Sequence, residues 1–326
     1  MPGPVATPPP SPFHPGETAV QERVGVREKI EAFGRRAIRD YMPEQHRSFF
    51  AQLPFVVVGS VDADGRPWAS LLVGAPGFVQ SPDERTLLVR ARPQESDPLS
   101  RTLLPGASLA LLGIELPTRR RNRANGHVVA LDEAGFRLRV EESFGNCPKY
   151  IQRRTPRIVA GDGAREAWRF QPGGLSEWAR GLIGCADTLF VASYADPEHG
   201  APKRRVDVSH RGGNPGFVHV AEDGTLTVPD LVGNFLFNTL GNLLANPRAG
   251  VVVPDFGTGD VLFLSGATEI VWDGPEVARF AGAQRLWRLR PSAGIGLRGA
   301  LPLRAELEER SPELNGTGSW PTCGPR

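Results

Sequence analysis

Three groups of polar side chains in this 326-residue chain have the types and spacing to do chemistry. In the first, Gly233-Asn234 reads as the opening of a helix with Asn238 and Thr239 in its first turns. Lys203, Arg204, Arg205, Asp207, Ser209, His210 and Arg211 run along the strand before it. Free N–H groups at a helix start, hydroxyl and amide donors, and a guanidinium are what a phosphate requires when it leaves bulk water. The same residues also read as a plain N-cap beside a solvated basic strand end. An earlier helix opens at Asp97-Pro98, where a carboxylate would occupy those donors and repel a phosphate. Ser70, Arg92, Ser100 and Arg101 are the remaining polar candidates there.

The second group is Thr118 to Arg123, with four arginines in five positions. Alternation along a strand would put Arg119, Arg121 and Arg123 on one face and Arg120 and Asn122 on the other. One face then meets an anionic ligand or crosses an interface, unless the run is a solvated basic loop. The third group follows a strand as Phe144-Gly-Asn-Cys-Pro-Lys-Tyr and carries Asn146, Cys147, Lys149 and Tyr150, with Gln152 beyond. It has the look of a turn closed by Pro148, and no histidine partner marks Cys147 as a nucleophile.

Other signals fail on context. Gly294 to Gly299 fits GxGxxG but follows Arg290-Pro291-Ser292 rather than an aliphatic strand, so a dinucleotide site is rejected. Asn315-Gly-Thr means nothing without secretion. The six histidines lack metal-ligand spacing, and Cys147, Cys185 and Cys323 are too far apart for a disulfide framework or a zinc site. No nucleophile elbow or P-loop occurs.

The elements that would position these groups are mainly strands. Seven prolines in the first fifteen positions predict a disordered arm over residues 1–20. Val26, Ile30, Phe33, Ala37 and Tyr41 then mark a helical face, and a second helix is expected over Pro43 to Leu53. Short aliphatic runs follow, among them PFVVVGSV, RPWASLLVG, SLALLGI and FRLRVEES, separated by turn signals. Residues 154–186 read as a helical connector, after which strands return, with a further helix at EVARFAGAQRLW and a Pro/Gly-rich tail over 291–326. A net charge of +2 from 38 basic and 36 acidic residues gives no general drive to nucleic acid or membrane, and no apolar run is long enough to span a bilayer. A cytoplasmic protein is expected.

The two halves repeat the same landmarks in order. Pro76-Gly77-Phe78-Val79 and Pro215-Gly216-Phe217-Val218 each precede a TLxV run, and nine residues separate the glycine from the threonine in both. A duplication is expected. GNLLANPRAGVVV, the later GATEI, PFVVVGSVDADGRPWASLLVGAPGFV, TRRRNRANG and FGNCPKYIQRR together resemble a bacterial, tandem-barrel branch of the pyridoxamine 5′-phosphate-oxidase-like, FMN-binding split-barrel superfamily, over roughly residues 45 to 275.

The resemblance implies a mainly β chain with flanking helices, built as two tandem six-stranded antiparallel Greek-key barrels. The first would fall within residues 21–153 and the second, with the FMN phosphate, within 187–290. FMN would lie between barrels, contacted by Arg205, Asp207, Ser209, His210, Arg211, Asn234, Asn238 and Thr239, with Ser70, Arg119, Arg121 and Asn122 from the first barrel. The turn at Asn146 to Gln152 could meet the isoalloxazine ring. The implied activity is FMN-dependent oxidoreduction on a small molecule or electron donor, with a homodimer as an added possibility. A flavin- or haem-binding carrier or sensor, and a scaffold without cofactor, are the alternatives.

Overall fold

The computed structural model describes residues 10–160, 163, 165–171, 174–196 and 204–320. Three helices come first, α1 (Pro15–Val24), α2 (Arg27–Ala37) and α3 (Glu44–Ala51). Helix α1 starts inside the stretch expected to be a disordered arm. Proline suits its first position, the His14 side chain accepts from the Gly16 N–H, and the Glu17 carboxylate accepts from the His14 N–H at 3.0 Å. The rest of that arm, residues 1–9, lies outside the described residues. Helix α2 buries Ile30 against Phe13, Phe144 and Leu236, but Phe33, expected on the same face, is 43% exposed.

The first sheet comprises β1 (Phe55–Val61), β2 (Pro67–Val73), β3 (Val79–Asp83), β4 (Thr86–Val89), β5 (Ser108–Glu115), β6 (Arg120–Asp132) and β7 (Gly135–Gly145), with the short helix α4 (Leu99–Thr102) before β5. A connector follows, holding β8 (Arg153–Arg154), β9 (Arg157–Ile158), β10 (Arg165–Arg169) and α5 (Glu177–Cys185). The second sheet then runs through β11 (Thr188–Ala195), β12 (Arg205–Gly212), β13 (His219–Val220), β14 (Leu226–Leu231), α6 (Asn238–Ala245), β15 (Arg248–Pro254), β16 (Val261–Val271), α7 (Pro275–Ala278) and β17 (Ala283–Arg298). Two short strands, β18 (Leu303–Arg304) and β19 (Leu307–Glu309), pair back onto β9 and β8.

The strand orders are β2-β1-β5-β6-β7-β4-β3 and β12-β11-β15-β16-β17-β14-β13, which is one topology used twice. Each sheet has seven strands on this path rather than the expected six, because a short β3 or β13 extends one edge. Every pairing is antiparallel. Val58 pairs with Ser70 and Leu111, while Val191 pairs with Ser209 and Val251, so the registers align residue for residue.

Alternation along the strands fills three cores. Val56, Val58, Leu109 and Leu111 point into the first barrel, and Leu189, Val191, Val251 and Val253 into the second. The intervening Phe55, Val57, Leu112, Phe190, Ala192 and Val252 form a third core between the barrels. Both faces of these strands are therefore buried, which explains their unbroken aliphatic runs. At roughly 1.5–3 kcal/mol per large apolar side chain, this seam opposes separation of the barrels.

Two expectations about helices change. The stretch Ala283 to Trp287, expected to continue a helix, opens strand β17, where Leu286 and Trp287 pair with β14 and β16. Helix α7 stops before it, and Gly282 turns the chain at φ 85°. The rejected GxGxxG run also lies at the end of β17, and a Cβ on Gly296 would fall 2.2 Å from the Trp178 ring. Gly294 and Gly296 thus serve packing.

Candidate functional site

A cleft of about 800 Å³, open to solvent, lies between the barrels. The first barrel contributes Arg121 and Arg123 of β6 and the segment Asn146 to Tyr150 after β7. The second contributes Ser209 to Gly212 of β12, Pro229 to Leu231 of β14, and the start of α6. Close approach of the two parts depends on Gly212, where a Cβ would stand 2.0 Å from the Tyr150 carbonyl oxygen.

Helix α6 begins at Asn238, four residues later than expected, because Phe235 and Phe237 both take φ 62°, a left-handed conformation that no helix continues through. Asn234 is therefore no N-cap, and its Oδ1 accepts instead from the Leu236 N–H at 3.2 Å. Phe237 stands at the N-cap position and has no side-chain acceptor, and the first intrahelical bond runs from the Gly241 N–H to the Phe237 carbonyl. The N–H groups of Asn238, Thr239 and Leu240 thus end uncapped at the cleft wall. That is the donor arrangement an anion takes at a helix N-terminus.

Tyr150 also has a left-handed φ, 66°, and Arg119 has 59°, so the non-glycine residues with positive φ among the described residues all lie in or beside this cleft. Such strain costs free energy that the surrounding contacts must offset, and it concentrates at functional sites. The Tyr150 hydroxyl donates to the Val232 carbonyl at 3.0 Å, tying the two loops together.

Charge in the cleft is unbalanced. Arg123 is nearly fully buried and reaches from the first barrel into the second. Its Nε lies 3.0 Å from Asp207 Oδ1, and its terminal nitrogens donate to Ser209 Oγ and the Val208 carbonyl, both at 2.8 Å, and to Asn238 Oδ1 at 3.0 Å. Burial pushes the Asp207 carboxyl up, while Arg123 and the Ser209 hydroxyl pull it back. Asp230, also raised by burial, is shared between Arg211 at 3.6 Å and Arg285 at 3.7 Å. Arg121 donates to the Cys147 carbonyl at 2.5 Å. Burial lowers its pKa to about 9, a shift that Cys147 opposes and the neighbouring Arg123 and Arg211 reinforce. Arg121, Arg123, Arg211 and Arg285 thus outnumber Asp207 and Asp230, with Glu17 on the Asn238 amide as a further acid and Lys149 paired to Glu313, and the excess of positive charge suits a phosphate.

Several polar atoms at this cleft are buried without a hydrogen-bond partner: Thr239 Oγ1, Arg211 Nε, His210 Nε2 and Asn146 Oδ1. Burial and the surrounding arginines hold His210 well below its usual pKa, hence neutral. Unpaired buried polar groups cost about 1–3 kcal/mol each, a cost that a bound ligand would remove.

Of the residues chosen from sequence, Arg121, Ser209, His210, Arg211, Asn234, Asn238 and Thr239 line the cleft, together with Asn146, Cys147, Lys149 and Tyr150. The others go elsewhere. Arg205 pairs with Glu142 and donates to the Pro12 carbonyl, and Asp207 lies behind the lining as the partner of Arg123. The left-handed turn at Arg119 breaks the strand alternation assumed for it and sends its side chain to the Ile151 carbonyl and Glu309. Asn122 falls on the opposite face of β6 and does not line the cleft, while Arg120 lies 5.1 Å over the Phe49 ring. Ser70 donates to Asp97 at 2.5 Å, away from this cleft. Arg204 lies over the Tyr194 ring, and Lys203 is outside the described residues. Strand alternation had already set Arg123 on the face of Arg121, and the structure adds Asp230, Phe235 and Phe237, for which no local signal existed.

Residues 42–179 match the family model described as Pyridoxamine 5′-phosphate oxidase. Among solved structures, a candidate pyridoxamine 5′-phosphate oxidase of Lactobacillus delbrueckii is 19% identical, covering 32% of this chain and 95% of its own, with a TM-score of 0.27. HupZ of Group A Streptococcus is 11% identical, covering 42% of this chain and 98% of its own, with a TM-score of 0.29. No curated protein matches the chain. No helix among the described residues is long and apolar enough to cross a membrane.

Proposed function

We infer, from the match of residues 42–179 to the pyridoxamine 5′-phosphate oxidase family model and from the cleft between the barrels, that this chain binds FMN and uses it in an oxidoreduction of a small molecule. The observation that carries the reading is the uncapped start of α6 beside a cluster of arginines that outnumbers the nearby carboxylates, with Thr239 Oγ1 and Arg211 Nε buried and unpartnered beside it. These groups suit the phosphate. Asn146 and the 146–150 segment offer neutral donors and acceptors for the ring edge, and Arg121 supplies positive charge for a reduced, anionic ring.

When bound, the flavin would supply hydride or electron acceptance at its N5. The chain's own part is to hold the phosphate on α6, to exclude water with Phe235 and Phe237, and to set the cleft's potential with Arg121. Arg123 positions Asn238 and Ser209 and joins the barrels, so it shapes the site from beneath.

A second reading rests on His210, a buried, neutral imidazole with Nε2 unpartnered at the cleft. That is the state in which an imidazole ligates a metal, so a haem-type carrier or sensor fits the same space with the arginines on its carboxylates. The visible absorption spectrum of the purified chain, with mass spectrometry of the ligand released on denaturation, separates the two. Arg211→Leu should lower flavin occupancy at least tenfold, whereas His210→Gln should abolish a haem spectrum. Flavin occupancy unchanged in Arg211→Leu would overturn the phosphate assignment.

A further inference from the structure

A second cleft, of about 500 Å³, occupies the place related to the first by the repeat. Much of its wall is apolar, from Leu72 and Val73 of β2, Val261 and Phe263 of β16, Leu297 of β17, and Leu301 beyond it, while Arg92, Gln94 and Asp97 are its polar side chains. One carboxylate lines it. Asp97 is 7% exposed, and its Oδ1 takes both of its hydrogen bonds, from the Ser70 hydroxyl at 2.5 Å and the Leu99 N–H at 2.8 Å. Oδ2 accepts no hydrogen bond from any described residue, and no cation pairs with this side chain. Arg92, which shares the cleft, donates to the Asp132 carbonyl instead, and Gln94 donates to that of Ala300.

A buried carboxylate without counter-charge on an apolar wall asks for a cation with an apolar body. We propose that this second cleft binds a small hydrophobic amine, its ammonium on Asp97 Oδ2 and its hydrocarbon against Leu72, Val261 and Phe263. Burial holds the Asp97 carboxyl up at about 6, so it is ionised at pH 7.5 and free to pair. The assignment uses none of the residues of the FMN cleft and stands apart from that reading.

The full chain would be titrated at pH 7.5 with hexylamine and with hexanol, followed by calorimetry. Saturable binding of one hexylamine per chain is expected, at least tenfold tighter than hexanol. Asp97→Asn retains Oδ1 for Ser70 and Leu99 and should erase the preference for the amine, and Val73→Trp, at a partly exposed wall position, should abolish binding of both. Absence of saturable hexylamine binding, an equal affinity for hexanol, or a preference that survives in Asp97→Asn would overturn the proposal. If Asp97→Asn fails to fold, hexylamine binding that persists in Val73→Trp overturns it equally.

Discussion

The two clefts share one backbone frame and differ in nearly every side chain that lines it. Aligned by strand register, Ser209 corresponds to Ser70, His210 to Leu71 and Arg211 to Leu72, while Arg121 corresponds to Val261 and Arg123 to Phe263. Each of these four basic or imidazole positions is apolar in the second cleft. The helices diverge in the same sense, since α6 begins with uncapped donors and α4 has Asp97 accepting from its Leu99 N–H. Duplication of a fold thus preserved positions but not chemistry. The hydroxyl shared by Ser209 and Ser70 donates to a buried carboxylate in both clefts, Asp207 in one and Asp97 in the other, but only Ser209 also accepts from a buried arginine, Arg123.

The largest effect should come from the pair Arg123 and Asp207, whose register counterparts are Phe263 and Trp68. Arg123→Ala leaves Asp207 buried without its cation, at roughly 3–5 kcal/mol of stability measured by urea unfolding. Installing the apolar counterparts together, as Arg123→Phe with Asp207→Trp, should recover most of that loss, since a buried ion pair is about as stabilising as well-packed apolar groups. If the double variant is no more stable than Arg123→Ala, the two clefts are not interchangeable frames.

Next in size is Asp97→Asn. The folded pKa of Asp97, about 6, lies above the ordinary aspartate value of 3.8, so its contribution to stability is present below the unfolded value and lost as pH rises through the folded one. The asparagine variant does not titrate there. Its stability relative to the parent should therefore climb between about pH 4 and pH 7, by up to roughly 3 kcal/mol for a shift of this size. A flat difference across that range would mean the carboxylate is solvated, and the contrast between the clefts would weaken.

Much of this contrast was legible in the sequence. The repeat could be counted from PGFV to TLxV, and the opposition of Asp97 to the later helix followed from residue type alone. Strand alternation correctly separated Arg121 from Arg120. It failed at Arg119, because a left-handed turn before β6 is invisible to periodicity. The start of α6 was misplaced for a similar reason: a phenylalanine at φ 62° contradicts its own propensity and is held only by tertiary contacts. Helix α1 was hidden by prolines that suit a first helical turn as well as an arm. The AQRLW stretch has helical composition, and long-range pairing with β14 and β16 overrides it.

The smallest expected effect is also the most local. Thr239 is buried in the first turn of α6, and its hydroxyl has no partner. Thr239→Val keeps its shape and removes only the oxygen, so the free chain should be no less stable than the parent, since an unmet polar group is deleted. FMN affinity, by contrast, should fall about tenfold, the order expected when one hydrogen bond to a charged group is lost. Affinity and stability are then predicted to move in opposite directions. A fall in both would make Thr239 a structural residue, and a fall in neither would move the phosphate away from α6, leaving the arginines of the cleft without the anion that their charge requires.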